Sequence, residues 1–178
     1  IITAVAAIVI LPIFLVIAFI VINGLPAMSW EFVSQAPRNG MTEGGIGPAL
    51  LGTVYLTIGT SIAAIPLGIG AAIYLSEYAS DNRLTRMIRL AIVNLAGIPS
   101  IVYGLFGLGA FVLFLNYGTS LLAGSLTLGL MTLPVVISTA EEAITAVPPE
   151  FRVVSLSLGA TRWQTIRNQV LPHAVPGI

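Results

Sequence analysis

The sequence contains no lysine and no cysteine, and only 8% of its residues are charged. A P-loop needs a lysine to contact the nucleotide phosphates, so this chain cannot form one, and any ATP hydrolysis must come from a partner. The lack of cysteine excludes disulfides and thiolate chemistry. Seven basic residues, all of them arginines, balance seven acidic residues. A chain without net positive charge is not expected to bind nucleic acid.

Histidine is almost absent as well, since His173 is the only one. No group of acids or nucleophiles accompanies it in the sequence, so a plain interfacial histidine is the favoured interpretation. We therefore expect no catalytic residue, no metal site and no cofactor bound by this chain. The protein is predicted not to be an enzyme.

Apolar residues take the place of the missing charges and make up 57% of the chain, against about 45–50% in soluble domains. A hydrocarbon layer about 30 Å thick requires about 20 helical residues to cross it. Four runs have that length and are apolar all round, which favours helices over alternating strands. They lie at about residues 1–22, 49–75, 88–115 and 121–146. The fold class predicted is an all-α polytopic membrane protein.

The predicted organisation is a first transmembrane helix at 1–22, an extracytoplasmic linker at 23–48 and a transmembrane domain at 49–178. Both ends of the chain fall in apolar segments, and no methionine stands at position 1. We therefore expect a fragment of a longer protein, incomplete at its C-terminus. A signal peptide is the alternative for residues 1–22, although the apolar core of such peptides is usually about 7–15 residues long.

The arginines predict which side of the membrane each loop occupies, because short cytoplasmic loops carry an excess of positive charge. One cluster lies between the second and third runs, after a helix cap at Asp81 or Asn82. The other cluster follows the fourth run. Two spans separate the clusters, so both fit the cytoplasmic side, where contact with lipid headgroups is the simplest role of the first cluster. The clusters are Arg83, Arg86 and Arg89, and Arg152, Arg162 and Arg167.

Residues that could line a solute pathway fall into three groups. Prolines inside spans are tolerated where neighbouring helices or a water-lined cavity satisfy the freed carbonyl, although proline is also common in membrane helices. Hydroxyls at helical spacing could hydrate a polar solute or bond back to the carbonyl one turn earlier. Two glutamates at the end of the fourth run could pair with an arginine of a missing part or a partner, or act as interfacial anchors. The candidates are Thr53, Thr57, Ser61, Pro99, Ser100, Thr132, Pro134, Ser138, Thr139, Glu141 and Glu142.

The segment 148–172, after the fourth run, predicts two short helices. Two prolines at 148 and 149 favour a helix start, and Gly159 favours a stop. Thr161 with Gln164 matches a capping box for the second helix, and Pro172 indicates its end. Apolar stripes are formed by Phe151, Val154 and Leu158, and by Trp163, Ile166 and Val170. Neither helix can cross a bilayer, so each must bury its stripe against the membrane surface, a neighbouring span or another protein. The spacing alone does not choose between lipid-surface packing and docking to a partner.

Gly159-Ala160-Thr161 with Leu171-Pro172 resembles the second half of the EAA loop of ABC importer permeases. Val153-Val154-Ser155 stands where this family has Glu-Ala-Ala, and Gln169 where isoleucine is usual. The resemblance implies a type I importer permease core with the MetI-like fold, whose coupling helices dock on a cytoplasmic ATPase. The residues it implies for coupling are Glu150, Phe151, Val154, Leu158, Gly159, Ala160, Thr161, Trp163, Leu171 and Pro172.

The pattern as a whole looks like the phosphate-specific permeases of the PstA/PstC type. The segments that carry this resemblance are 44–53, 66–75, 94–107, Glu141-Glu142-Ala143 and Val147-Pro148. The family implies a multi-pass protein of the cytoplasmic membrane that imports phosphate by alternating access. It also implies three partners: a second permease subunit, an ATPase dimer that binds ATP and magnesium, and an extracytoplasmic phosphate-binding protein. The alternatives are a permease for molybdate, sulfate or an amino acid, and a membrane scaffold without transport.

Overall fold

The computed structural model describes residues 2–178, and of residues 2–7 and 9 it describes only the backbone. Within residues 2–178 every regular element is helical, apart from one isolated bridge between Arg38 and Glu43. The all-α class predicted from the apolar runs is confirmed. Ile1, where the first predicted span begins, lies outside the described residues.

Among residues 2–178, three helices are long and apolar enough to cross a bilayer. They are α1 (Ile2–Gly24), α3 (Gly47–Ile73), which continues through a π-helical turn at Tyr74–Tyr78, and α6 (Leu121–Thr145). They correspond to the first, second and fourth apolar runs. Pro66 and Pro134 lie inside α3 and α6 without ending them.

The third apolar run, predicted as one span at 88–115, is divided into two helices. The first is α4 (Arg83–Ala96), and the second is α5 (Ser100–Gly107), which continues as a π-helix through Leu108–Phe114. The two directions differ by 97°. Pro99 has φ −57° and ψ 139°, which is not helical, and a residue that precedes proline is disfavoured in the α region. Residues 88–96 therefore belong to α4, and only Ser100–Phe114 continues the run.

The structure forms two compact units, of which the first comprises Ile1–Val54. Its loop holds the short helix α2 (Trp30–Ser34), capped by the Ser29 hydroxyl, which accepts a hydrogen bond of 3.1 Å from the Phe32 amide. A Cβ atom on Gly47 would lie 2.8 Å from the Ser34 carbonyl carbon. Only a residue without a side chain fits there, which explains the glycine-rich sequence just before α3.

The second unit, Tyr55–Ile178, is built around α6. Small residues allow its helices to approach closely, as is usual where helices pack in a membrane. Gly59 faces Ser125, Gly68 faces Val136, and Gly129 faces Ala63. At the arginine-rich end a buried cluster joins α3 and α6 to the C-terminal segment. Its members are Ala72, Ala140, Ile144, Val147, Val170 and Ala174.

We predict that Gly107→Ala destabilises the protein, whereas Gly104→Ala in the same helix does not. A Cβ atom at Gly107 would clash with the Thr127 hydroxyl and lie 2.8 Å from the Thr127 Cβ, whereas one at Gly104 would have nothing within 4 Å. Overpacking of this kind costs about 1–3 kcal/mol. In contrast, glycine-to-alanine substitution in an open helix gains up to about 1 kcal/mol. The melting temperatures of the two full-length variants in detergent test the prediction, and equal shifts would contradict it.

Candidate functional site

The segment after α6 folds as two helices that meet at Gly159. The first is α7 (Pro149–Ser157), and Gly159 has φ +84°, in the left-handed region that favours glycine. The Gly159 amide donates to the Leu156 carbonyl at 3.0 Å, and the Ala160 amide donates to the Ser155 carbonyl at 3.2 Å. These two bonds form a Schellman motif, the usual end of a helix at glycine. The predicted helix stop at Gly159 is confirmed.

The second helix begins with the predicted capping box. The Thr161 hydroxyl accepts a hydrogen bond of 3.3 Å from the Gln164 amide, and the Thr161 amide donates to Gln164 Oε1 at 2.8 Å. The helix starts as α8 (Arg162–Thr165) and continues through a π-helical stretch, Ile166–Val170, into α9 (Leu171–Ala174).

The prediction that Pro172 ends this helix is wrong, because α9 runs through it. In the π-helical turn before it, the Leu171 amide donates to the Ile166 carbonyl, five residues earlier. This wider turn changes the carbonyl positions that a proline ring would meet in a regular helix, and proline is tolerated in the first turn of α9. Leu171 is half-buried and Pro172 is exposed.

The apolar stripe of α7 is open to the surroundings. Phe151 lies at the edge of exposure, Val154 is exposed, and the side chain of Leu158 is 83% exposed. These residues line a groove of about 490 Å³ between α7 and α8. Glu150, Ser155, Ala160, Gln164, Asn168 and Gln169 complete its lining. Exposed apolar grooves of this size are typical of sites that bind a protein, a membrane or a ligand.

The second stripe divides between the interior and the surface. Ile166 and Val170 are buried, and Val170 packs in the cluster with Ile144 and Ala140 of α6. Trp163 is exposed. Two contacts tie α7 to this buried wall: the Ser155 and Thr165 hydroxyls lie 2.9 Å apart, and the rings of Phe151 and His173 are 4.4 Å apart. One side of this segment therefore packs against α6, and the opposite side, with Val154, Leu158 and Trp163, is exposed.

Arg152 fixes α7 to the ends of α3 and α6. Its guanidinium donates to Glu77 Oε1 at 2.7 Å and 2.9 Å, and to the carbonyls of Ile144 at 2.9 Å and Val147 at 2.8 Å. The pair is largely buried, with side-chain exposures of 23% for Arg152 and 12% for Glu77. One side chain therefore connects two long helices to the segment that follows them.

A second ion pair lies at the same end of the bundle. Arg89 in α4 contacts Glu141 in α6 at 2.8 Å and donates to the Leu75 carbonyl at 2.9 Å. From the sequence, the arginine that pairs with Glu141 is expected to come from a missing part of the protein or from a partner. In the structure it is Arg89 of the same chain. Because Arg89 contacts α6 and Arg152 contacts α3, both arginine clusters lie at one end of the bundle, as the predicted topology requires.

The candidate pathway residues do not converge on one cavity. Among the residues that the structure describes, Ser138, Glu141 and Glu142 line one groove of about 510 Å³ beside Arg89. Pro134 is buried inside α6, and Pro99 and Ser100 are exposed at the break before α5. Thr57 is exposed and Ser61 half-buried, both in α3. No group of acids and histidines that could hold a metal ion occurs in the part of the chain that the structure describes.

Three threonines on this list, Thr53, Thr132 and Thr139, bond back to their own helices. Thr53 donates to the Ala49 carbonyl at 2.9 Å, Thr132 to Leu128 at 3.0 Å, and Thr139 to Val135 at 2.9 Å. Each bond satisfies the hydroxyl within one turn, which is the alternative that the spacing had left open.

The site residues predicted from the sequence did not include Glu77. Arg152 and Arg89 were assigned only to the positive charge of cytoplasmic loops. The only signal was an acidic residue just after an apolar run, with arginines near the start of later helices. Such a pattern gives no distance between residues 75 positions apart, because that distance depends on how α3 and α6 pack.

Residues 64–178 match the family described as binding-protein-dependent transport system inner membrane component. The chain is 37% identical over 161 residues to the probable ABC transporter permease protein YqgI of Bacillus subtilis, covering 90% of this chain and 55% of that protein. It is 40% identical over 135 residues to the phosphate transport system permease protein PstA 1 of Mycobacterium tuberculosis, covering 76% and 44%. With PstA 2 of Mycobacterium bovis the identity is 35% over 173 residues, covering 97% and 56%. The chain therefore spans about half the length of the curated relatives it matches.

Among solved structures, the chain is similar to an inward-facing structure of the MetNI methionine ABC transporter, with a TM-score of 0.58. The similarity covers 75% of this chain and 62% of that one, at 22% sequence identity. At this identity the match shows the fold alone, which is the MetI-like fold.

Proposed function

Since the chain belongs to the family of binding-protein-dependent transport system inner membrane components, we propose that it is part of a permease subunit that imports inorganic phosphate. The choice of phosphate as the solute rests on one observation, the 35–40% sequence identity to permeases named for phosphate transport. The family and the apolar helices make it a multi-pass membrane protein of the cytoplasmic membrane. The test of this proposal is transport by the full-length protein.

The α7–α8 segment is the proposed contact with the ATPase. Its outer side presents Val154, Leu158 and the groove beside them, and an apolar groove favours an apolar counterpart on the partner. Its inner side is fixed by Val170 in the core and by Arg152 on Glu77. A displacement of this segment by the partner would therefore reach α3 and α6 directly, which is what alternating access requires of a coupling element.

The proposed partners follow from this division of roles. An ATPase dimer would bind ATP and magnesium, because this chain has no lysine with which to build a P-loop. A second permease subunit would form the other half of the path, and an extracytoplasmic phosphate-binding protein would deliver the solute. These partners are proposed from the family description, which names binding-protein-dependent transport.

Uptake by the reassembled complex tests the proposal. The full-length chain, its paired permease and its ATPase are reconstituted in vesicles, with the binding protein outside and ATP at the ATPase side. We expect uptake of radiolabelled phosphate that stops when ATP is withheld and that excess sulfate or molybdate does not reduce. Uptake of molybdate or sulfate in preference to phosphate would support the importer role and contradict the assignment of phosphate as the solute. An assembled complex that transports none of these anions would reject both.

A further inference from the structure

We propose that α4 is a membrane-surface helix that binds the headgroups of acidic phospholipids through Arg83 and Arg86. The proposal goes beyond transport, because it assigns a lipid-binding surface to a segment outside both the coupling loop and the candidate pathway. The evidence is the distribution of side chains around α4, its direction and the pairing of its arginines.

The helix has three distinct faces. One packs toward α6 and contains Arg89 and the half-buried Ile92. The buried Thr85 instead donates to the Ser80 carbonyl at 2.9 Å. A second is apolar and exposed, with Leu84 and Met87 each 66% exposed and Ile88 40% exposed. Arg83 and Arg86 lie beside that apolar face and are exposed to solvent. An exposed apolar stripe next to basic residues is the pattern of helices that lie in the interface of a bilayer.

The direction of α4 supports the same conclusion. Its continuation, Ser100–Phe114, packs along α6, where Gly107 meets Thr127. Since α4 is turned by 97° from this continuation, it runs across the direction of the spans. A helix with this direction at the arginine-rich end of the bundle lies along the membrane surface, with its apolar stripe available to the acyl chains.

The three arginines of α4 differ in what they contact. Arg89 is engaged by Glu141 and the Leu75 carbonyl, whereas neither Arg83 nor Arg86 forms an ion pair with any residue that the structure describes. Arg86 lines a polar cavity of about 280 Å³ together with Ser80, Asp81 and Thr85. One aspartate against two unpaired arginines leaves a net positive charge at this surface.

An acidic phospholipid can cover the exposed apolar stripe of α4 and also pair with the arginines beside that stripe. A guanidinium binds a phosphate through two parallel hydrogen bonds, and the acyl chains of the same molecule cover an apolar stripe. A protein partner would have to bury Leu84 and Met87 and also neutralise two arginines that flank them. Acidic lipid provides both contacts from the membrane in which α5 and α6 are embedded.

The first experiment measures lipid preference in the full-length protein, with spin-labelled phosphatidylglycerol compared with spin-labelled phosphatidylcholine. Each basic residue near an acidic surface strengthens attraction about fivefold at ordinary ionic strength. We expect Arg83→Gln with Arg86→Gln to reduce the preference at the protein surface clearly, and added salt to have little further effect in this variant. The matched control, Arg162→Gln with Arg167→Gln, removes the same charge from α8 and the segment after it. An equal loss of preference in both variants would overturn the proposal.

The second experiment distinguishes lipid from a protein partner. The sequence has no cysteine, so Leu84→Cys and Ile88→Cys each provide one site for a spin label in this segment of the assembled complex. We expect both labels to collide with dissolved oxygen more than with a water-soluble nickel complex. Asn168→Cys, measured on the permease without the ATPase so that the groove is uncovered, should show the reverse. Labels at 84 and 88 shielded from both reagents would mean that protein covers α4. Labels exposed to the nickel complex would mean that α4 lies in water, and either outcome would overturn the proposal.

Discussion

Replacing Arg152 by glutamine is expected to lower the free energy of unfolding by about 3–5 kcal/mol, because a buried charge then loses its partner. Glu77 is 12% exposed and would keep its carboxylate without a cation. The Val147 carbonyl would lose the guanidinium as its donor, whereas the Ile144 carbonyl would keep the 3.3 Å bond from the Val147 amide. The measurement is denaturant or thermal unfolding of the full-length protein in detergent, followed by circular dichroism.

The second ion pair at this end of the bundle is the matched control. The side chain of Arg89 is 50% exposed and that of Glu141 is 19% exposed, so this pair is more hydrated than that of Arg152 and Glu77 and contributes less to stability. Arg89→Gln is therefore expected to change stability far less than Arg152→Gln. The double variant Arg152→Gln with Glu77→Gln should be less unstable than the sum of the single variants, since contacting residues couple. Equal effects of Arg152→Gln and Arg89→Gln, or full additivity in the double variant, would contradict the role assigned to Arg152.

Replacing Gly159 by proline is expected to abolish phosphate uptake and phosphate-stimulated ATP hydrolysis by the reassembled complex, without preventing insertion of the protein into the membrane. Proline holds φ near −65°, whereas Gly159 has φ +84°. Its ring also removes the amide that donates to Leu156 at 3.0 Å. An incompatible proline costs about 3 kcal/mol or more, enough to change the angle between α7 and α8 on which the groove depends.

Gly159→Asn is the control, because it replaces the glycine while allowing the bend between α7 and α8 to remain. Asparagine adopts the left-handed region more readily than other residues with side chains, and a Cβ atom at Gly159 would have nothing within 4 Å. Gly159→Asn should therefore keep most of the phosphate uptake. Co-purification with the ATPase should likewise be close to wild type for Gly159→Asn and lower for Gly159→Pro. Wild-type uptake by Gly159→Pro in an intact complex would show that the bend has no part in coupling.

The features that were predicted correctly in detail depend on neighbouring residues. The helix stop at Gly159 and the capping box of Thr161 and Gln164 are each determined by groups within about one turn, so their residue types suffice to predict them. The end predicted at Pro172 failed for a related reason. A π-helical turn upstream changed which carbonyls the proline ring would meet, and no residue type specifies such a turn.

The break at Pro99 was only half predictable. Gly97, Ile98 and Pro99 indicate that a helix is interrupted, but the local residues do not set the angle. The value of 97° depends on where α4 and α5 each find a surface on α6. The same dependence on packing decided that Ile166 and Val170 are buried while Trp163, in the same predicted stripe, is exposed.

By itself the sequence determined that this is a helical membrane protein and that residues 1–178 hold no P-loop, because apolar length and the absence of lysine act independently of packing. It also determined the two short helices after α6, whose caps are local. Only the tertiary structure decided that Arg152 reaches Glu77 and Arg89 reaches Glu141. It also decided that α4 lies across the spans, with Arg83 and Arg86 in no ion pair with a described residue. These contacts join residues up to 75 positions apart, and such a distance is fixed by the close approach of whole helices at their glycines rather than by any residue alone.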